Sequence, residues 1–310
     1  MGEITIFATD GSEYSAMAAE LIKRIPSLKA GKVIAVQVIP PMPVTFDIVE
    51  PVFSGALTHE VDEMFEAQRV GATANLTAAV NDLKSAGIDA DYQLLEGDIS
   101  QQILDFAKDS NATTIALGSK GVGGFQGFFL GSIAKGLVDH APQSLIVARP
   151  GPDHDEKSAL AKLKASPTLR VGVCVDGSDG ANHALSVVIN QGENAFASAY
   201  GFTAEPLSAL PPGVLATEYV AEVGDCHEAV QAILVKTTNQ LSTVAAASKG
   251  FSEVGDPSSA LGSLAKQHEV DLLVLGANRH GMVERFLLGS VSHDLAANAP
   301  CSIWVIRPTG

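Results

Sequence analysis

Positive charge is scarce in this chain: 20 Lys and Arg face 35 Asp and Glu, for a formal net charge of −15. That sign is wrong for a general nucleic-acid binder, whose affinity comes from neutralising phosphates. Cysteine is scarcer still. Cys174, Cys226 and Cys301 share no CxxC spacing and are too few for a disulfide framework. Their number points to a reducing compartment and away from a Cys-rich metal site. Long hydrophobic runs are missing: Val33–Val36 and Leu272–Leu275 are strand-length, far short of the roughly 20 apolar residues of a membrane span. The first residues, Met1 to Asp10, lack a basic region and read as a β-strand, so no signal peptide is expected. With 46% hydrophobic residues, 18% charged residues and no low-complexity tract, a disordered chain is excluded. The expectation is a soluble, acidic, cytoplasmic protein with no nucleic-acid and no membrane partner. Its 310 residues suggest two domains.

The chain is written twice. Residues 114–150 match residues 272–308 without a gap, Gly131-Ser132 falling on Gly289-Ser290 and Arg149-Pro150 on Arg307-Pro308. The same offset of 158 carries Gly97-Asp98 onto Gly255-Asp256 and Ala141-Pro142 onto Ala299-Pro300. Nearer the starts, Asp10-Gly11-Ser12 matches Asp176-Gly177-Ser178 at an offset of 166, so the second copy is shorter in its middle. Ordered matches of this kind mark a tandem duplication of a unit of about 150 residues. The expected domains are 1–150 and 169–310. The linker between them, 151–168, is polar and proline-punctuated with a helical-looking Ser158–Lys164.

Within each copy, strand-length apolar runs alternate with helical patterns. In the first, Glu3–Ala8, Lys32–Ile39, Asp89–Leu95, Thr113–Leu117 and Ser144–Ala148 read as strands. In the second, the strands are expected at Val171–Val175, Ala195–Phe202, Thr243–Ala247, Leu272–Leu275 and Ser302–Ile306. Such alternation predicts an α/β fold, two tandem doubly wound parallel five-stranded sheets with helices on both faces. A doubly wound sheet opens its ligand crevice at the carboxyl ends of its strands. The last strand of each copy, uncovered and apolar, invites pairing, and the two are expected to join antiparallel across a pseudo-twofold axis as a pseudo-dimer.

Two loops carry chemistry. After the first strand stands Asp10-Gly11-Ser12 rather than the GxGxxG of a dinucleotide site. A carboxylate there would repel phosphate but can accept hydrogen bonds from an adenine amine or a ribose hydroxyl. Simple helix capping explains Ser12 and Ser178, and leaves Asp10 and Asp176 open between a cap and a ligand contact. The second loop runs from Gly118 through Lys120 and Gly121 to Gly131-Ser132, from a strand end to a helix start. Gly118 and Gly121 are expected to take positive φ and let backbone approach a ligand. Gly131-Ser132 opens a helix whose free N–H groups suit an anion, with Lys120 and Lys135 adding positive charge. The alternative is a turn and a well-capped helix; the glycines on either side of an apolar Phe128-Phe129-Leu130 plug favour phosphate.

The spacing G-2x-G-9x-G-S at Gly118, Gly121, Gly131 and Ser132, then a helix, Ala-Pro and a short apolar strand, resembles the universal stress protein family. Thr9 to Ser12, the strand at Val36–Ile39 and Gly97-Asp98 fit as well, and the second half matches along its length, as in tandem members of the family. The resemblance implies an adenine nucleotide α-hydrolase-like fold and a nucleotide site. Asp10 and the backbone at Val38 would hold adenine and ribose; Gly118, Gly121, Gly131 and Ser132 would hold the phosphates of ATP or another adenine nucleotide, with Mg as an optional companion, and Lys120 joins them by its charge. The second copy keeps Asp176, Gly276, Gly289 and Ser290, but Arg279 stands for Gly121 with His280 and Gly281 beside it, and Gly201 stands near the position of Val38. A weaker or empty second site follows.

No nucleophile elbow, no Walker lysine and no paired carboxylates for Mg²⁺ occur, so no catalytic residue and no resident metal is expected. The functional expectation is a nucleotide-dependent stress-response protein acting by conformation or by binding an unknown protein partner. Its alternatives are a slow ATP-hydrolysing enzyme of the same fold and a nucleotide-free dimerisation scaffold; a homodimer of whole chains is a further outcome. Cys174 reads as an inert core thiol, Cys301 as partly exposed, and Trp304 as packing or interface.

Overall fold

A computed structural model describes residues 3–41, 54–121, 130–151, 155–205, 216–277 and 288–308. The first repeat runs β1 (Ile4–Ala8), α1 (Glu13–Arg24), α2 (Pro26–Ala30), β2 (Lys32–Ile39), α3 (Ser54–Ser85), β3 (Asp89–Glu96), α4 (Ile99–Asp109), β4 (Thr114–Gly118), α5 (Ser132–His140) and β5 (Ser144–Ala148). After a connecting α6 (Glu156–Ala165), the second runs β6 (Arg170–Cys174), α7 (Asp179–Ile189), β7 (Ser198–Glu205), α8 (Ala216–Leu241), β8 (Ala247–Val254), α9 (Pro257–Gln267), β9 (Leu272–Gly276), α10 (Ser290–Asn298) and β10 (Ser302–Ile306).

The two five-stranded sets form one sheet, in the order β3-β2-β1-β4-β5-β10-β9-β6-β7-β8. Within each repeat the neighbours are parallel; β5 and β10 meet antiparallel, with Ile303 opposite Val147, Trp304 opposite Ile146 and Val305 opposite Leu145. The expected seam is therefore present, and Trp304 lies buried in it. Apolar residues on both faces explain why: a strand buried on both sides cannot end a sheet at water. One face is covered by α1, α3, α7 and α8 through residues such as Met17, Leu76, Ala184 and Val230. The other is covered by α4, α5, α9 and α10 through Ile103, Leu137, Leu261 and Leu295.

The linker is not bare chain. Asp155 caps α6 by accepting the Ser158 N–H at 2.8 Å, and Leu160 is buried against the first repeat. Arg24 of α1 donates to the carbonyls of Ser166 at 2.7 Å and Lys164 at 3.2 Å, closing the end of α6.

Two strand expectations are corrected. Thr243–Ala247 is not a strand: Val244 and Ala245 are buried in the turn after α8, and β8 begins at Ala247. Apolar content misled, because β8 is outermost and carries Ser248, Lys249, Gly250 and Glu253. Likewise β7 spans Ser198–Glu205, three residues later than expected. The Thr9 N–H donates to Val36 O and the Val175 N–H to Phe202 O, which makes Phe202 the counterpart of Val36 and Ala204, not Gly201, that of Val38. Both strands lie where the offsets of 166 and 158 put them, so the shortening falls between Glu205 and Ala247. Cys301 is also corrected: as the residue before a central strand it is buried, and burial pushes its thiol up to about 12.

Candidate nucleotide site

The carboxyl ends of β1, β2 and β4 converge on a cavity of about 620 Å³ whose wall includes Asp10, Val38, Gly118, Lys120, Gly121, Gly131 and Ser132. All seven residues singled out in the first copy are thus brought together. Parallel strands in the order β2-β1-β4 place their ends side by side, while α4 and α5 close one flank with Ile99, Ile103, Ile133 and Ala134.

At the end of β1 the local geometry separates two roles the sequence left open. Ser12 is the cap of α1, its hydroxyl accepting the Ser15 N–H at 3.2 Å. Asp10 sits before the helix, and its Oδ1 accepts the Ser12 N–H at 3.0 Å. That bond fixes the carboxylate at the mouth of the cavity. Gly11 takes φ +79, a conformation that favours glycine and turns the chain from strand to helix.

Gly118 and Gly121 do not take the positive φ expected of them. Their small size has another cause. A Cβ on Gly118 would lie 2.6 Å from Tyr14 Cβ and 2.8 Å from its carbonyl carbon, so glycine lets α1 press onto the end of β4. A Cβ on Gly121 would lie 2.7 Å from Asp10 Oδ2, so glycine lets the two loops meet. Burial, followed by Glu156 of α6, raises the Tyr14 phenol above its ordinary value.

Part of the cavity wall is built on α5. Gly131 is its N-cap and offers no side-chain cap, leaving first-turn N–H groups without a capping side chain beside the cavity. The Gly131 N–H donates to Ser119 O at 2.8 Å, and the Ser119 N–H donates to Ala148 O at 2.8 Å, tying the loop to β5. Phe128 and Phe129 of the expected plug lie outside the described residues; Leu130 lines the cavity.

Several lining residues were not expected. Thr9 and Ser15 are buried and share a hydrogen bond of 3.1 Å, and Ser119 is buried in the loop. Gln37 also lines the cavity, and its Oε1 is buried without a hydrogen-bond partner among the described residues. The adjacency of Thr9 to Asp10 and of Gln37 to Val38 was the available signal. Ile99 and Ile103 carried none, because their place on α4 is set by tertiary packing.

The sequence model of the family described as "Universal stress protein family" matches residues 3–149 and again residues 168–307. The chain belongs to the universal stress protein family. A universal stress protein of Thermus aquaticus is 28% identical over 149 residues, spanning 48% of this chain and 100% of that protein. One of Methanothermobacter thermautotrophicus is 38% identical over 53 residues, 17% of this chain and 36% of that one. The crystal structure of a universal stress protein from Archaeoglobus fulgidus matches 98% of this chain and 98% of that chain, with a TM-score of 0.58 and 20% identity. That likeness shows the shared tandem fold.

The second universal stress protein repeat preserves the frame and changes the contents. Ser178 caps α7, and Asp176 Oδ1 accepts the Ser178 N–H at 2.9 Å, repeating the first turn. Gly276 ends β9, and Gly289-Ser290 starts α10 without a side-chain cap. Phe202, fully buried, stands where Val36 lines the first cavity, and Gly172 makes room for it: a Cβ there would lie 2.4 Å from the ring. Arg279, His280 and Gly281 lie outside the described residues.

A further cavity, of about 460 Å³, lies beneath α6, walled in part by Arg149, Lys162, Asp271 and Cys301. It is a poorer candidate. Arg149 donates to the carbonyls of Ala296, Ala297 and Ala299, and Asp271 is paired with Arg170. Among the described residues no group of three or more His, Cys, Asp or Glu could hold a metal ion, and no helix is long and apolar enough to cross a membrane.

Proposed function

We propose that the first repeat binds an adenine nucleotide, with ATP as the leading candidate and Mg as an optional companion, and that the protein acts in the cytoplasm as a nucleotide-dependent stress-response regulator. One observation carries the reading: a single cavity of about 620 Å³ whose wall combines hydrogen-bond acceptors, apolar side chains and the N-terminus of a helix. That volume lies in the range of roughly 300–1,000 Å³ usual for small-molecule sites. Asp10 and the buried acceptor of Gln37 suit the donors of a base and a ribose. The first-turn N–H groups of α5, Gly118 and Lys120 suit phosphate. The apolar Val36, Val38, Ile99 and Ile103 in the same wall suit a flat ring.

The test is to denature the purified protein and chromatograph whatever is released, then to titrate the emptied protein calorimetrically with ATP. Released ATP supports the regulator; ADP or AMP favours slow hydrolysis; no nucleotide and no binding favours a scaffold. Gly121→Arg should abolish binding, because even a Cβ there meets Asp10 at 2.7 Å. Unchanged ATP affinity in that variant would remove the site from this loop.

A further inference from the structure

Helix α5 touches the cavity with its first turn and the other repeat with its last. Gly131 to Ala134 line the cavity. In the last turn, Val138 O accepts Nη2 of Arg307 at 3.0 Å, and Asp139 Oδ1 lies 3.0 Å from Nε2 of His293 on α10. The Arg307 N–H in turn donates to Ser144 Oγ at 3.1 Å, at the start of β5. Arg307 is buried, and burial lowers its pKa only to about 10, so it is a cation at neutral pH. A cation at the C-terminus and an anion at the N-terminus both stabilise the same helix dipole. Nine residues of helix put the two ends only about 13 Å apart.

We propose that Arg307, contributed by the second repeat, is a positioning residue for the nucleotide site of the first, acting through α5. This rests on the nucleotide reading above. The molecule contains its own control. Arg149 makes the mirror contact, its guanidinium donating to the Ala296, Ala297 and Ala299 carbonyls at the end of α10. Arg149 N and Ser302 Oγ, 3.2 Å apart, repeat the pairing of Arg307 N with Ser144 Oγ. Both arginines are buried in one seam and both close a helix, but only Arg307 closes the helix that starts at the first cavity.

The experiment measures ATP affinity calorimetrically in the whole chain and in Arg307→Gln, Arg307→Lys and Arg149→Gln. Arg307→Gln should weaken ATP about fivefold, the scale of a helix-terminal charge. Arg307→Lys, which keeps the charge, should recover most of that loss. Arg149→Gln should stay within about twofold of the parent while losing comparable thermal stability. Equal weakening by Arg307→Gln and Arg149→Gln would reduce the effect to general destabilisation and overturn the proposal. So would an unchanged Kd in Arg307→Gln. If the unaltered chain binds no ATP, the nucleotide reading falls and this proposal with it. A measurement on the unaltered chain covers the case of a variant that does not fold: ATP should slow amide exchange at Ile306 and Arg307 and leave β8 unchanged, because coupling between sites is reciprocal. Unchanged exchange at those two residues, with ATP bound, overturns the proposal alone.

Discussion

At the end of β1 the first repeat places Thr9, Tyr14 and Ser15, and at the end of β6 the second places Val175, Gly180 and Ala181. The backbone turn is the same, since Gly11 and Gly177 take φ +79 and +81 and each aspartate accepts the serine N–H two residues on. The side chains are not. A polar wall of Thr9 and Ser15 has become apolar, and Val36 of the floor, with Ile6 in the same core cluster, has become Phe202 with Gly172. Phe202 belongs to a cluster with Tyr200, Phe251 and His268, the last two rings stacked at 3.8 Å. Val36 lines the cavity of the first repeat; in the second an aromatic ring, Phe202, takes the matching position.

The sharpest break of this comparison is at the glycine that ends the fourth strand of each repeat. A Cβ on Gly276 would lie 2.1 Å from the carbonyl oxygen of Gly180, against 2.6 Å from the Tyr14 Cβ for Gly118. Gly276→Ala should destabilise by about 3 kcal/mol and Gly118→Ala by about 2, because overpacking against backbone relaxes poorly. Urea unfolding of both variants checks the order, and a smaller loss at Gly276 would contradict it. Next in size is an exchange of floors. Ile6→Gly with Val36→Phe brings the second repeat's packing into the first and should weaken ATP by about tenfold or more, near 1.4 kcal/mol. Retained affinity in calorimetry would show that the floor does not decide occupancy.

A smaller effect separates the aspartates. Asp10→Ala should weaken ATP about fivefold, leave free triphosphate unchanged, and lower stability by less than about 1 kcal/mol, because the Ser12 cap remains. Asp176→Ala should match the stability loss without altering ATP binding, which differential scanning calorimetry and titration together measure. The smallest effect concerns acid. Burial first, and Lys249 second, hold the His268 pKa below its ordinary 6.5. Below about pH 6.5 the unfolded chain therefore binds a proton that the folded repeat resists, so stability is lost as pH falls through that window. Thermal melts from pH 7.5 to 5 should fall less steeply in His268→Gln; an identical slope would show that the ring does not contribute.

Much of this was legible in one dimension. The repeat offsets, the alternation of elements and the glycine spacing gave the family, the doubly wound sheets and seven residues that surround one cavity. The errors have physical causes. An outer strand needs little apolar surface, so β8 looked less like a strand than the buried turn at Val244 and Ala245. Gly118 and Gly121 looked like φ-positive turn residues because glycine serves backbone freedom and close approach alike; only the proximity of Tyr14 and Asp10 distinguishes them.

By itself the sequence determined what is set by local chemistry and periodicity: the alternation of strands with helices, the caps at Ser12 and Ser178, and that the chain repeats. Tertiary structure alone decided what depends on residues far apart in the chain. It brought Ile103 beside Val38, placed Phe202 over Gly172, and set the register of β5 against β10 so that Arg307 reaches the end of α5. Those contacts depend on how helices settle on a shared sheet, and no spacing along the chain encodes that distance.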